Sequence, residues 1–299
     1  MSLDTAALVL MGIALFAATV NGALGYGFSS LTVPVALLFY TNRVLNPALV
    51  LVEVVVNSYV LYVNRGSIPH VWRRTLPIMV GLAPGVLIGG YVLSNVSPGA
   101  VKLVTYALIL PLILLQAAGA RRPIRAERAV GLPFGTALGV LYSVTTISGP
   151  PLALLFNNQR FVRQDFRAGL ALIRILESSL TATAYYFLGL YSAETPQMVA
   201  LIAPSVIIGI PLGTLLIRRI EAEVFRRVCI SFDAWIVGFG LARVLIEVGL
   251  AESPIAYSVL AAAVLIDALL LYSFFKQMRQ RKLEAGGLAQ GTEPALSFH

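Results

Sequence analysis

Tyr142-Ser-Val-Thr-Thr-Ile-Ser-Gly-Pro-Pro-Leu-Ala-Leu-Leu-Phe156 and an earlier twin, Gly25-Tyr-Gly-Phe-Ser-Ser-Leu-Thr-Val-Pro-Val-Ala-Leu-Leu-Phe39, decide how this chain is read. A shift of 117 residues carries Pro34 onto Pro151, Gly22 onto Gly139, Arg43 onto Arg160, and one Ala-Leu-Leu-Phe run onto the other. In each copy a polar, glycine-containing link separates two apolar runs too short for a comfortable membrane span. Lipid admits irregular backbone only where it is buried in protein or lines a wet cavity. Interrupted apolar segments at matching places in two halves point to a transporter's binding site.

Composition agrees. Residues of the AVILMFWYC class make up 58% of 299, and charged residues only 12%. A soluble domain carries about a quarter charged residues, so the class is an integral membrane protein of the lipid bilayer. The net charge of +8 does not indicate nucleic acid, because the cations sit in short clusters between apolar runs, as the positive-inside rule requires. Cys229 is the only cysteine, which rules out an intrachain disulfide. The start Met-Ser-Leu-Asp lacks the basic region of a signal peptide, so its apolar run is expected to be retained.

Full spans are predicted near 48–63, 75–94, 100–118, 169–190, 197–217, 228–248 and 254–275, most of them close to the roughly 20 residues a helix needs to cross. Four shorter runs, 5–20, 28–40, 130–141 and 147–157, form two hairpins through the links 21–27 and 142–146. Clusters at Arg65/Arg73/Arg74, Arg121/Arg122/Arg125/Arg128, Arg160/Arg163/Arg167, Arg218/Arg219/Arg226/Arg227 and Lys276/Arg279/Arg281/Lys282 hold 18 of the 22 Lys and Arg. These five connections are therefore expected on the cytoplasmic side. Segment 130–157 then begins and ends inside, and residues 5–40 begin and end outside. Arms of 11 to 16 residues reach roughly 16–24 Å, which favours arms that stop partway.

The expected fold is all-α, an inverted repeat in which each half is a re-entrant or broken-helix hairpin plus three transmembrane helices. Residues 1–120 form repeat one (hairpin 5–40, helices 48–63, 75–94 and 100–118). Residues 121–250 form repeat two (hairpin 130–157, helices 169–190, 197–217 and 228–248). An extra helix occupies 251–282, and 283–299 is expected to be a disordered tail. Gly85 and Gly89, shifted by 124, fall on Gly209 and Gly213.

A helix that starts inside the membrane aims unsatisfied N–H groups and a partial positive charge at whatever precedes it, which suits an anion. Two such starts, near 28–31 and 147–151, define the candidate site. Gly25, Gly27 and Gly149 allow close backbone approach, and Ser29, Ser30, Thr145, Thr146 and Ser148 supply hydroxyls. The alternative is plain small-residue helix packing. Intramembrane charges are costly and so are site candidates. Arg174 either contacts the anion or is locked by Glu177, or reaches the cytoplasmic edge. Glu53 and Glu177 are candidates for coupling or gating, and Asn57 for binding. A shift of 121 aligns Glu53 with Arg174. Asp233, Arg243 and Asp267 are read as structural. Tyr26 and Tyr142 either line a cavity or anchor at the interface. No cofactor, metal or catalytic residue is expected: His70 and His299 lie in a loop and at the terminus, so zinc, haem and a serine nucleophile all lack partners.

The motif Gly22-Ala-Leu-Gly25-Tyr-Gly27 with Val33-Pro34, and its echo Gly139…Ser148-Gly149-Pro150-Pro151, resemble those of the TauE/SafE-type sulfite exporters, also described as toluene-sulfonate uptake permeases. The likeness covers roughly residues 5–248. It implies a secondary transporter, not an enzyme, exporting a small sulfur-containing anion such as sulfite, sulfoacetate or a similar organosulfonate through a midplane site between the hairpin tips. The alternatives are an uptake permease for thiosulfate or sulfonate, and a passive anion channel. By motif position Gly25, Gly27, Pro34, Gly149 and Pro151 would be the crossing-point residues, although the second link lacks glycines matching Gly25 and Gly27. A bacterial-type inner (plasma) membrane location is expected, with the N-terminus outside and the C-terminus cytoplasmic. Small residues on helix faces permit a homodimer without demanding one.

Overall fold

A computed structural model describes residues 5–119, 127–157 and 163–290. These form eleven α-helices and one 3-10 turn: α1 (Thr5–Leu24), α2 (Phe28–Ala36), α3 (Asn42–Val63), the turn Arg65–Ser67, α4 (Ile68–Asn95), α5 (Pro98–Ala117), α6 (Glu127–Thr145), α7 (Gly149–Asn157), α8 (Arg163–Phe187), α9 (Thr195–Leu216), α10 (Ala222–Glu247) and α11 (Ser253–Gln290). Among the described residues seven spans are long and apolar enough to cross a membrane, lying in α1, α3, α4, α5, α9, α10 and α11. The protein is a multi-pass, all-helical membrane protein. Helix α8 has the length, but Arg174 and Glu177 interrupt its apolar run.

The helix limits differ from those expected in an informative way. The first arm of each hairpin is longer: α1 has 20 residues and α6 has 19, so each reaches about 28–30 Å. The second arms, α2 and α7, have nine residues each. The polar residues before each break continue the helix, since Gly25 N–H still donates to Asn21 O at 2.7 Å and Thr146 N–H to Tyr142 O at 2.6 Å. Helix α3 begins at Asn42 and α8 at Arg163, six residues before the predicted spans. Helix α11 continues past 282 to Gln290, through a run containing Leu283, Glu284, Ala285, Leu288 and Ala289, which are good helix formers. Residues 291–299 of the expected tail lie outside the described residues, as do Arg121, Arg122, Arg125 and Arg160.

The helices exchange partners reciprocally: α1 packs on α9 and α6 on α4, α2 touches α10 and α7 touches α5, and α3 packs on α8 and α5 on α10. Small residues let the first two pairs approach at backbone distance. A β-carbon at Gly22 would overlap the Ile210 carbonyl and one at Gly213 the Thr19 carbonyl; at Gly85 it would overlap Thr136 O, and at Gly135 Ile78 O. Helix α11 is fastened to α10 through Asp267, which pairs with Arg227 at 2.8 Å and accepts Trp235 Nε1 at 3.1 Å.

Candidate functional site

Each chain break leaves backbone carbonyls without helical partners, and side chains from elsewhere supply the donors. At the end of α1, Arg167 of α8 donates to Ala23 O at 2.6 Å. At the end of α6, Asn42 and Asn46 of α3 donate to Val144 O at 3.2 and 2.7 Å, and Tyr185 of α8 donates to Ser143 O. Tyr106 donates to Pro34 O at 2.7 Å near the end of α2. The links themselves need left-handed backbone. Gly25 and Gly27 supply it in the first, with φ of 85° and 109°. In the second, Thr146 does so at φ 56°, where the sequence has no glycine. Its hydroxyl donates to Thr145 O at 2.7 Å, and Thr145 Oγ1 accepts Ile147 N–H at 3.0 Å.

The links meet. Tyr26 of the first lies beside Gly149 of the second, its ring 3.7 Å from the position a β-carbon would take there. Between them stands a buried charge cluster. Arg174 Nη2 pairs with Glu53 Oε1 at 2.8 Å, Ser29 donates to the same oxygen, and Tyr142 donates to Glu53 Oε2 at 2.5 Å. Ser148 donates to Glu177 Oε2 at 2.6 Å. Glu53 and Glu177 are wholly enclosed and Arg174 is 3% exposed. Because α3 and α8 start early, Glu53 and Arg174 both lie eleven residues in, about 16 Å along their helices. Arg174 therefore does not reach the membrane edge, and its partner is Glu53 of α3 rather than Glu177 one turn along.

Ser29, Ser148, Glu53, Arg174 and Glu177 thus come together, with Gly149 against Tyr26 and Gly25 against Arg167. Other candidates do not join them. Ser30 donates to Gly27 O at 3.2 Å and lies beside Asp233 of α10. Thr145 and Thr146 bond local backbone. Asn57, one turn beyond Glu53, is buried with its amide nitrogen unpartnered. Sequence reading missed the donation from Tyr142 to Glu53; its place inside the repeated motif was the available signal. Gln116 Nε2 donates to Tyr26 OH at 3.4 Å, and Arg226 lies beside the same phenol. Both line a cavity of about 440 Å³ between α5, α10 and α11, with Arg227, Glu221, Glu223 and Gln277.

Donors at the two helix starts are unequal. The first turn of α2 offers the N–H groups of Phe28, Ser29 and Ser30, whereas Pro150 and Pro151 have none, so the second start contributes Gly149 N–H and the Ser148 hydroxyl. One helix start and a guanidinium can hold an oxyanion by directed hydrogen bonds, and the two serine hydroxyls can add to them on turning from Glu53 and Glu177.

The family model described as "Sulfite exporter TauE/SafE" matches residues 10–241. The chain is 26% identical, over 185 residues, to a "Probable sulfite/organosulfonate exporter TauE" of Cupriavidus necator, covering 60% of this chain and 71% of that protein. No solved structure matches.

Proposed function

The chain belongs to the sulfite exporter TauE/SafE family, and on that premise we propose that it is a secondary transporter exporting a small sulfur-containing anion, sulfite, sulfoacetate or a similar organosulfonate, through a site between the two links. One observation carries this: both links converge on the enclosed Glu53–Arg174–Glu177 cluster, each through the serine at the start of its short helix. The guanidinium and the α2 start would hold the oxyanion, Ser29 and Ser148 would orient it, and Tyr26 would separate it from the cavity at Arg226.

Alternating access suits an inverted repeat, with residues 1–120 and 121–250 as its halves and α11 outside the symmetry. The reciprocal exchange of packing partners supports such a twofold. So does the likeness of Ser29–Glu53 to Ser148–Glu177, with the serines related by 119 and the glutamates by 124, on helices whose starts are related by 121. By this criterion Glu53 answers to Glu177, and Arg174 answers to Val50; the cation breaks the symmetry. The proposed setting is an inner membrane, and the cation clusters of the sequence support an outside N-terminus and a cytoplasmic C-terminus.

Thermal-shift titration of purified protein with sulfite, sulfoacetate and sulfate tests the site. A ligand at a hundred times its Kd stabilises by about 2.7 kcal/mol. Arg174→Ala leaves Glu53 buried without its cation, which alone would destabilise, so the informative variant is the pair Arg174→Ala/Glu53→Gln. It is expected to fold and show no ligand shift; a shift equal to wild type would remove Arg174 from the site. Saturable flux in vesicles is expected, whereas unsaturable flux would mean a channel.

A further inference from the structure

One cation faces two carboxylates at the centre of the molecule, and the carboxylates are unequally served. Glu53 accepts from Arg174, Ser29 and Tyr142. Glu177 accepts only from Ser148, and its Oε1, though fully enclosed, has no partner. Arg174 Nε is likewise enclosed and unpartnered. The two residues are three apart on α8, a spacing at which side chains meet. On the premise that the cluster binds an anion, we propose that Glu177 is a proton-binding site loaded together with that anion, so that the protein is a proton–anion cotransporter.

With the site empty, an ionised Glu177 turns to the free side of Arg174, which then bridges two carboxylates. An incoming anion needs that guanidinium and cannot share the enclosure with two ionised carboxylates and one cation. Glu177 therefore takes one proton on its carboxylate oxygen, leaves Arg174 to the anion and remains bonded to Ser148. Release of the anion on the far side returns Arg174 to Glu177 and frees the proton. The ionisable groups around Glu177 are Arg174 on its own helix, Glu53 on α3 and Tyr142 on α6. Helix α4 brings His70 to Asp165, 3.9 Å apart, about 18 Å along α8 from Glu177; the neighbouring turn carries Arg65, which donates to Tyr62 O, and α7 carries no charge. Cotransport with a proton cancels the charge of a monoanion. The anion's own gradient then drives export without help from the membrane potential, and an imposed proton gradient can reverse the flow.

Ethanesulfonate, a monoanion that stays ionised throughout the working range, is the probe. Calorimetric titration of the wild-type protein in buffers of different ionisation heat counts the protons taken up per anion bound, and about one is expected. Glu177→Gln is expected to reduce that count to near zero. A variant that still takes up one proton overturns the assignment to Glu177. Wild-type binding without proton uptake overturns cotransport and leaves the anion site standing. No binding of ethanesulfonate, sulfite or sulfoacetate by the wild type overturns the anion site, and cotransport with it. If Glu177→Gln does not fold, infrared difference spectra of wild type carrying isotope-labelled glutamate decide: a protonated-carboxyl band must grow on binding, and its absence overturns the proposal.

Discussion

Thr146 holds a left-handed backbone that glycine holds in the first link, and it does so because two hydroxyls next to each other close the turn. The hydroxyls of Thr145 and Thr146 thus bond local backbone rather than the charge cluster: short hydroxyl side chains have a local backbone alternative that composition does not reveal. Charges were easier to read. A carboxylate or guanidinium inside an apolar run has few reasons to be there, which is why Glu53, Arg174 and Glu177 stood out in the sequence. Tyr142 did not, because its bond to Glu53 joins positions 89 residues apart on different helices. Tyr142→Phe keeps the ring and removes the donor from a buried carboxylate oxygen. It is expected to cost about 1–3 kcal/mol in thermal unfolding; an unchanged Tm would mean that the oxygen finds another donor.

At the scale of elements, the pairing of α1 with α9 and of α6 with α4 rests on glycines whose missing β-carbons admit the opposing backbone. The matched glycines were legible as a duplicated pattern; which helix each one faced was not, since packing partners come from the opposite half of the chain. Helix limits were missed for a related reason. Asn21 and Tyr142 are polar and read as link, yet the helix continues through them because the enclosure supplies partners for the carbonyls at the breaks. Gly22→Ala and Gly85→Ala are expected to destabilise comparably, by about 1–3 kcal/mol each, since the obstacle in both is a carbonyl that cannot swing aside. Gly12, in the same helix as Gly22, meets nothing within 4 Å, and Gly12→Ala is expected to stay within about 0.5 kcal/mol of wild type. Thermal unfolding in one detergent compares all three; equal effects at Gly12 and Gly22 would reduce the contact to helix propensity.

For the whole molecule, sidedness decides what the cavity beside Tyr26 does. Arg226, Arg227 and Arg167 gather at the end where α1 breaks, and on the orientation proposed from the cation count that end is cytoplasmic. Arg43 sits at the other end, against that count, but its guanidinium is held by the Leu93, Ser94 and Val96 carbonyls at 2.9, 2.6 and 2.9 Å, where α4 ends. A cation fixed on the negative end of a helix has a local cause and weighs little in the orientation. On that orientation an exported anion first meets the 440 Å³ cavity, where Arg226 stands among Glu221, Glu223 and the Asp267-paired Arg227, and only then Tyr26 and the cluster behind it. Single cysteines in a Cys229→Ala background test this, because the native thiol is buried and is the only one. Ala193→Cys, in the exposed α8–α9 connection, is expected to react with a membrane-impermeant maleimide in intact cells. Gly66→Cys, exposed between α3 and α4 with nothing within 4 Å of its new β-carbon, is expected to react only after the membrane is opened. The opposite pattern would turn this cavity outward, and the same route would then serve uptake.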